Sequence, residues 1–157
     1  MSSSENIILC KQKIGSALVN SDEIIEMLNE SCVGRGDELL YENIFPFQKA
    51  PDTEEEKKTY ICYTVDTNIS SSRSRVFENI TIAIYVVTHQ DLMRCKYNGT
   101  RIDFVGSMVI DLLNDKNFFG LGDFEKVSDT EGSADFLHRY REIVFTTKGL
   151  NTDMCGD

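Results

Sequence analysis

Tryptophan is missing from this chain, and proline occurs twice, at Pro46 and Pro51, flanking one loop. Nine Phe and six Tyr therefore carry the whole aromatic load. Histidine is scarce as well, with His89 and His138 the two copies. No apolar run reaches the ~20 residues that a helix needs to cross a bilayer. No Cys-x-x-Cys pair occurs, and the cysteines, Cys10, Cys32, Cys62, Cys95 and Cys155, are odd in number and widely spaced. This pattern reads as free thiols of a reducing compartment, with Cys10 and Cys62 as small core residues. The opening Ser2-Ser3-Ser4-Glu5 lacks basic and apolar stretches, so no secretory signal is expected.

Positive charge is in short supply too. Sixteen Lys and Arg face 26 Asp and Glu, for a net charge of −10. Such a surface repels phosphate and anionic lipid, and no basic patch of a sequence-reading nucleic-acid binder is evident. Two readings of the acidity stay open. It keeps the protein soluble, or it lines a channel through which DNA slides without sticking.

What is present suits a globular protein. A hydrophobic content of 41% and a charged content of 27% are ordinary. The 157 residues suffice for one domain and leave too little for two. A single α+β domain is expected over 1–150, with a flexible tail over 151–157.

Ile7, Cys10, Ile14, Ala17 and Leu18 share one helical face, after a frayed start over 1–5. Asn20 or Ser21 caps a second short helix with Ile24, Ile25 and Leu28 as its stripe. The stretch 31–36 breaks it. A loop then leads to a short first strand at 44–47, with Pro46 at an edge or strand end. Residues 52–58 form a solvated loop. The second strand runs over 59–65 with apolar groups on both faces, so both faces are expected to be covered. A polar loop over 68–75 follows. In the third strand Ile80, Ile82, Ile84 and Val86 form the core face. Ile102, Val105, Val109, Leu112 and Leu113 predict a helix over 101–114, opposite Asp103, Ser107 and Asp111. A short strand over 123–128, a polar loop over 128–135 and a strand over 138–146 complete the pattern. The expected fold is α+β, with a mainly antiparallel sheet of about four to five strands packed on two to three helices.

Few residues suggest chemistry. His89, Asp91 and Cys95 could make a metal corner, but their spacing matches no zinc pattern, and His89 reads as a polar residue closing a strand. His138 reads as a hydrogen-bonding or interface residue. Cys95 lies between Arg94 and Lys96, which favours a thiolate, yet nothing marks an oxyanion site or an orienting acid. Gly120-Leu121-Gly122 lacks the Lys-Ser/Thr of a phosphate loop and reads as a helix cap and turn. Asp22, Glu23 and Glu54 to Glu56 read as a cap and a solvated loop. No catalytic, metal or cofactor set emerges. Two surface features remain. The loop with Ser72, Arg73 and Arg75 either serves solubility or meets an acidic patch on an identical neighbour. In Phe118-Phe119, either one ring is exposed as a contact or both tuck under the loop.

With these pieces in order, the chain resembles the tail terminator and neck proteins of long-tailed bacteriophages, also described as tail-completion or minor capsid proteins. The matching stretches are 16–28, 43–47, 58–63, 80–87, 101–113 and 139–145, and the likeness covers roughly 7–148. The resemblance implies a small α+β subunit of a ring, commonly six-fold, at the head-proximal end of the tail tube. Such a ring stops tube polymerisation and docks to the head-side connector or stopper protein, while DNA passes through its lumen without sequence-specific binding. It implies no enzyme activity, no cofactor and no membrane. The protein is expected in the virion tail or neck, after synthesis in the host cytoplasm. By the same resemblance the loop with Ser72, Arg73 and Arg75 is the expected subunit-contact or tube-facing arm, and Phe118, Phe119, Arg139 and Arg141 are further expected subunit or tube contacts. The sequence departs from the family pattern in its charged 51–58 loop and its 95–99 insert. The competing readings are a head-completion or stopper ring, a small cytosolic thiol or hydrolytic enzyme using Cys95 and His89, and a cytosolic adaptor.

Overall fold

Alternation along one aliphatic strand organises the molecule. The computed structural model describes residues 3–28, 36–69, 77–114 and 123–150. In β3 (Phe77–His89), Ile80, Ile82, Ile84 and Val86 are all fully buried on one face. Each branched side chain removed from water contributes about 1.5–3 kcal/mol, so this row decides which face the helices cover. The neighbours continue it in register. β2 (Thr59–Ile69) sets Ile61, Tyr63 and Val65 opposite Val86, Ile84 and Ile82. β5 (His138–Leu150) sets Ile143 and Phe145 opposite Ile84 and Ile82 on the other flank.

Among the described residues the sheet has five strands in the order β1-β2-β3-β5-β4, where β1 is Ile44–Phe45 and β4 is Glu125–Ser133. β1 runs parallel to β2 and the remaining pairs are antiparallel, so the fold is α+β with a mixed sheet. Both faces of β2 are covered, as its composition implies. Tyr60 and Cys62 point away from the helices and form a second cluster with Phe45 and Val87.

Among the described residues, three α-helices cover the first face. α1 (Ser3–Val19) buries Cys10, Ile14 and Leu18, one per turn. It begins at Ser3 rather than fraying through residue 5, because Asn6 in its first turns is already packed away from solvent. α2 (Asp22–Leu28) buries Ile24, Met27 and Leu28. α3 (Arg101–Leu113) is capped by Thr100, whose hydroxyl accepts the Asp103 amide at 3.3 Å. Ile102, Val105, Val109 and Leu113 form its buried stripe. Gly106 faces β5 where a Cβ would lie 2.9 Å from Arg141 Cδ, so the absent side chain sets how closely helix and strand approach.

Arg101 ties this layer together. Its side chain is 2% exposed. Nε donates to the Leu92 carbonyl at 2.7 Å, one terminal nitrogen to Met27 at 2.8 Å and the other to Arg94 at 3.0 Å. Its backbone N–H donates to Met93 at 2.7 Å. One guanidinium thus joins α2, the turn after β3 and the start of α3.

Several boundaries differ from those expected. β4 covers most of what reads as a polar loop over 128–135, leaving a turn at 134–137. Its residues are polar on both faces, so ladder hydrogen bonds to β5, not burial, make it a strand. β2, β3 and β5 run past their apolar cores because polar pairs such as Asp66 with Thr81 and Asn68 with Asn79 extend the ladder. The expected 70–75 loop residues, the 120–122 turn and the 151–157 tail lie outside the described residues.

Replacing Arg101 tests the brace. Arg101→Ala leaves buried carbonyls without their donor and is expected to cost about 3–5 kcal/mol. Arg101→Lys should also destabilise, since one ammonium cannot span the same acceptors. Urea unfolding should show a lower midpoint at unchanged slope.

Candidate interaction groove

Where α1 meets the segment at 40–47, the surface opens into a groove of about 750 Å3. Ile8, Lys11, Gly15 and Val19 line it from the helix, and Leu40, Tyr41, Pro46 and Phe47 from the other bank. Tyr63 forms part of its base and donates its hydroxyl to the Lys11 carbonyl at 3.0 Å. Burial pushes the Tyr63 hydroxyl pKa up, so it remains a donor. A Cβ on Gly15 would lie 2.8 Å from that hydroxyl oxygen, which explains glycine within a helix.

The rim is apolar and open. Ile8 is 55% exposed and Tyr41 64%, and Phe47 is exposed beside them. Aromatic contacts run from Tyr41 to Phe47 (6.3 Å), on to Phe45 (5.6 Å) and then to Tyr60 (5.7 Å). They couple the rim to the cluster on the far sheet face. Tyr41 itself has φ 65°, a left-handed backbone that a bulky residue adopts at a cost of about 1–3 kcal/mol. Although the chain carries a net charge of −10, the charged residue lining this groove is Lys11.

The sheet edges are handled differently. β1 pairs with two residues of β2, Ile61 and Cys62, and on its outer flank Leu40 bridges Ile44, whose carbonyl accepts the Tyr41 amide at 2.8 Å. At the opposite edge, β4 carries Glu125, Asp129 and Glu131 and a register shift at Val127. Charge and a bulge both blunt an edge against strand addition.

Of the expected contact residues, Ser72, Arg73, Arg75, Phe118 and Phe119 lie outside the described residues. Arg141 is engaged within the chain. It reaches Asp129 at 2.7 Å and Asp103 at 2.9 Å, bridging β4, β5 and α3. The hydrogen bond to Asp129 raises its pKa against the opposing effect of desolvation. Arg139 folds back on its own turn and donates to the carbonyls of Asp135, Phe136 and His138.

Among the described residues, the histidines and Cys10, Cys62 and Cys95 sit in structural roles. His138 is 1% exposed, with Nε2 donating to the Glu56 carbonyl at 2.8 Å and Nδ1 facing the Asp135 carboxylate at 2.9 Å. It packs edge-on against His89, whose Nδ1 accepts the Asp91 amide at 3.0 Å. Desolvation works to raise the Asp135 pKa, but hydrogen bonds from His138 and from the Leu137 and His138 amides outweigh it and hold the carboxyl below its ordinary value. Burial pushes the Cys10 thiol up to about 12 and also raises Cys62. The Cys95 thiol faces the Tyr97 and Gly99 carbonyls, within its own loop and not against His89. Among the described residues no His, Cys, Asp and Glu cluster could hold a metal, and no helix is long and apolar enough to cross a membrane. Sequence reading missed the groove and the histidine pair. The signal for the groove was present in Tyr41 and Phe47 flanking a short strand.

By fold and site this is a small α+β protein with an open apolar groove at one sheet edge. A family model described as YomW matches residues 12–147, and the chain belongs to that family. The family name derives from Bacillus phage SPBc2, which makes this a phage-associated protein. No curated protein matches it.

Two outcomes follow for the rim and the turn. Tyr41→Gly relieves the left-handed strain and should stabilise the fold by about 0.5–1 kcal/mol in chemical denaturation. Because the Asp135 carboxyl titrates below its unfolded value of about 3.9, its contribution is present above that pH and lost as pH falls through the depressed folded value. Melting temperature should therefore fall more steeply with acid below about pH 4 in the native protein than in Asp135→Asn.

Proposed function

We propose that this chain is a structural virion protein, not an enzyme. In this reading it forms a ring at the head-proximal end of a phage tail tube, terminates tube polymerisation and docks to the head-side connector. Its partners are copies of itself, six by the family resemblance, together with the tail-tube protein and the connector or stopper protein. The groove is the observation that carries the reading. An exposed concavity rimmed by Ile8, Tyr41 and Phe47 is the kind of surface that assembled subunits cover.

Membership of a phage-associated family supports the same assignment, as does the resemblance of the order of sequence patterns to that of tail terminators. The charge of −10 suits the wall of a channel that DNA crosses without adhering. The use of His89, His138, Cys10 and Cys62 as packed or hydrogen-bonded groups favours scaffolding over catalysis.

Mixing the purified protein with polymerising tail-tube protein tests termination. Tubes of one fixed length, capped at one end in negative-stain images, are expected. Tubes of indefinite length would count against termination, and binding to portal complexes in place of tubes would move the protein to the stopper position. Cys95→Ser should leave capping unchanged, whereas a thiol enzyme would lose its activity.

A further inference from the structure

The 134–137 turn between β4 and β5 holds Phe136 outward at 77% exposure. An exposed Phe on a mobile tip would need no explanation, but this tip is fixed. The Asp135 carboxylate accepts the Leu137 and His138 amides at 2.9 and 2.8 Å and also meets the His138 ring. Arg139 donates to the Asp135, Phe136 and His138 carbonyls. The Ala134 amide closes the turn on the His138 carbonyl at 3.0 Å. Behind it, the buried His138 is anchored to the Glu56 carbonyl. A preorganised aromatic knob of this kind contributes strongly to binding because little freedom is lost when it docks.

Strand order places this knob on the β5-β4 side of the sheet and the apolar groove on the β1-β2 side. Their charges also match. Among its lining residues the groove presents Lys11 and no acid, while the end of β4 nearest the knob exposes Glu131. The blunted β4 edge disfavours strand addition, so the contact available at that side is made by side chains.

We propose that Phe136 of one copy docks into the groove of a second copy, between Ile8 on α1 and Tyr41 and Phe47 on the opposite bank. Knob and groove are different patches, so the contact is heterologous and repeats around a ring or along an open row. This deepens the self-assembly part of the ring reading and rests on it, but not on tail-tube binding.

Complementation between two surface variants tests the contact. Phe136→Ala removes the knob, and Ile8→Asp spoils the groove at an exposed position, so neither should unfold the protein. Each alone is expected to weaken self-association roughly thirtyfold or more in sedimentation velocity. Mixed, they retain one intact knob and one intact groove, and should form dimers but nothing larger. Wild-type protein that stays monomeric at millimolar concentration would overturn the proposal. So would variants that associate as well as wild type, or a mixture that yields no dimer. Complementation in a protein that leaves tail tubes uncapped would uphold the contact and reject the tail-terminator role alone.

Discussion

The buried guanidinium of Arg101 is the constraint on which the helical layer depends. A charge at this depth persists only with its donors occupied, and here they reach the carbonyls of Met27, Leu92 and Arg94. Each of those carbonyls lies at an end of regular structure or in a turn, where backbone acceptors have no ladder or helix partner of their own. The same side chain therefore satisfies orphan groups from separate parts of the chain and fixes where α2 ends and α3 begins. The Ile102, Val105, Val109 and Leu113 stripe then meets the β3 row at a defined height.

Much of this was legible in the sequence, and the limits have physical causes. The Ile80, Ile82, Ile84 and Val86 alternation and the α3 stripe are local periodic signals, and both elements occur where the pattern puts them. The short strand expected over 123–128 occurs as the start of β4, but its continuation to Ser133 has no such signal because those residues are polar and their conformation is imposed by β5. The short strand expected at 44–47 occurs as the two-residue β1, but its parallel pairing with a strand beyond a long loop is encoded in no local pattern. Arg101 reads as an ordinary basic residue at a helix start, since the burial around it comes from chain segments far away in sequence. Arg141 reads as a surface contact, yet its two acids stand 38 and 12 residues away and engage it inside the subunit. Tyr41 and Phe47 marked one bank of the groove, but the hollow itself exists only once α1 lies beside the 40–47 segment.

The two ends of the sheet differ in kind. At the β1 side an apolar hollow carries strain at Tyr41 and an aromatic relay into the second core cluster. At the β4 side a charged, bulged strand ends in a rigid turn with an exposed ring. Interior chemistry is quiet by comparison. Burial raises the pKa of the Cys10 and Cys62 thiols, and the histidines hold loops in place. Stability is supplied by the middle of the molecule, while its lateral sides carry the features that could distinguish one neighbour from another.

Strand order has one more consequence. In chain order β5 follows both β3 and β4, yet it occupies the place between them. While the polypeptide is being synthesised, the aliphatic β3 has β2 on one flank and nothing on the other. A half-paired run of this composition, with Glu78 its one acid, is a template for sticking to its like. The nascent protein thus passes through a vulnerable interval that closes only when its last described strand slots home, and truncated products would keep that interval open.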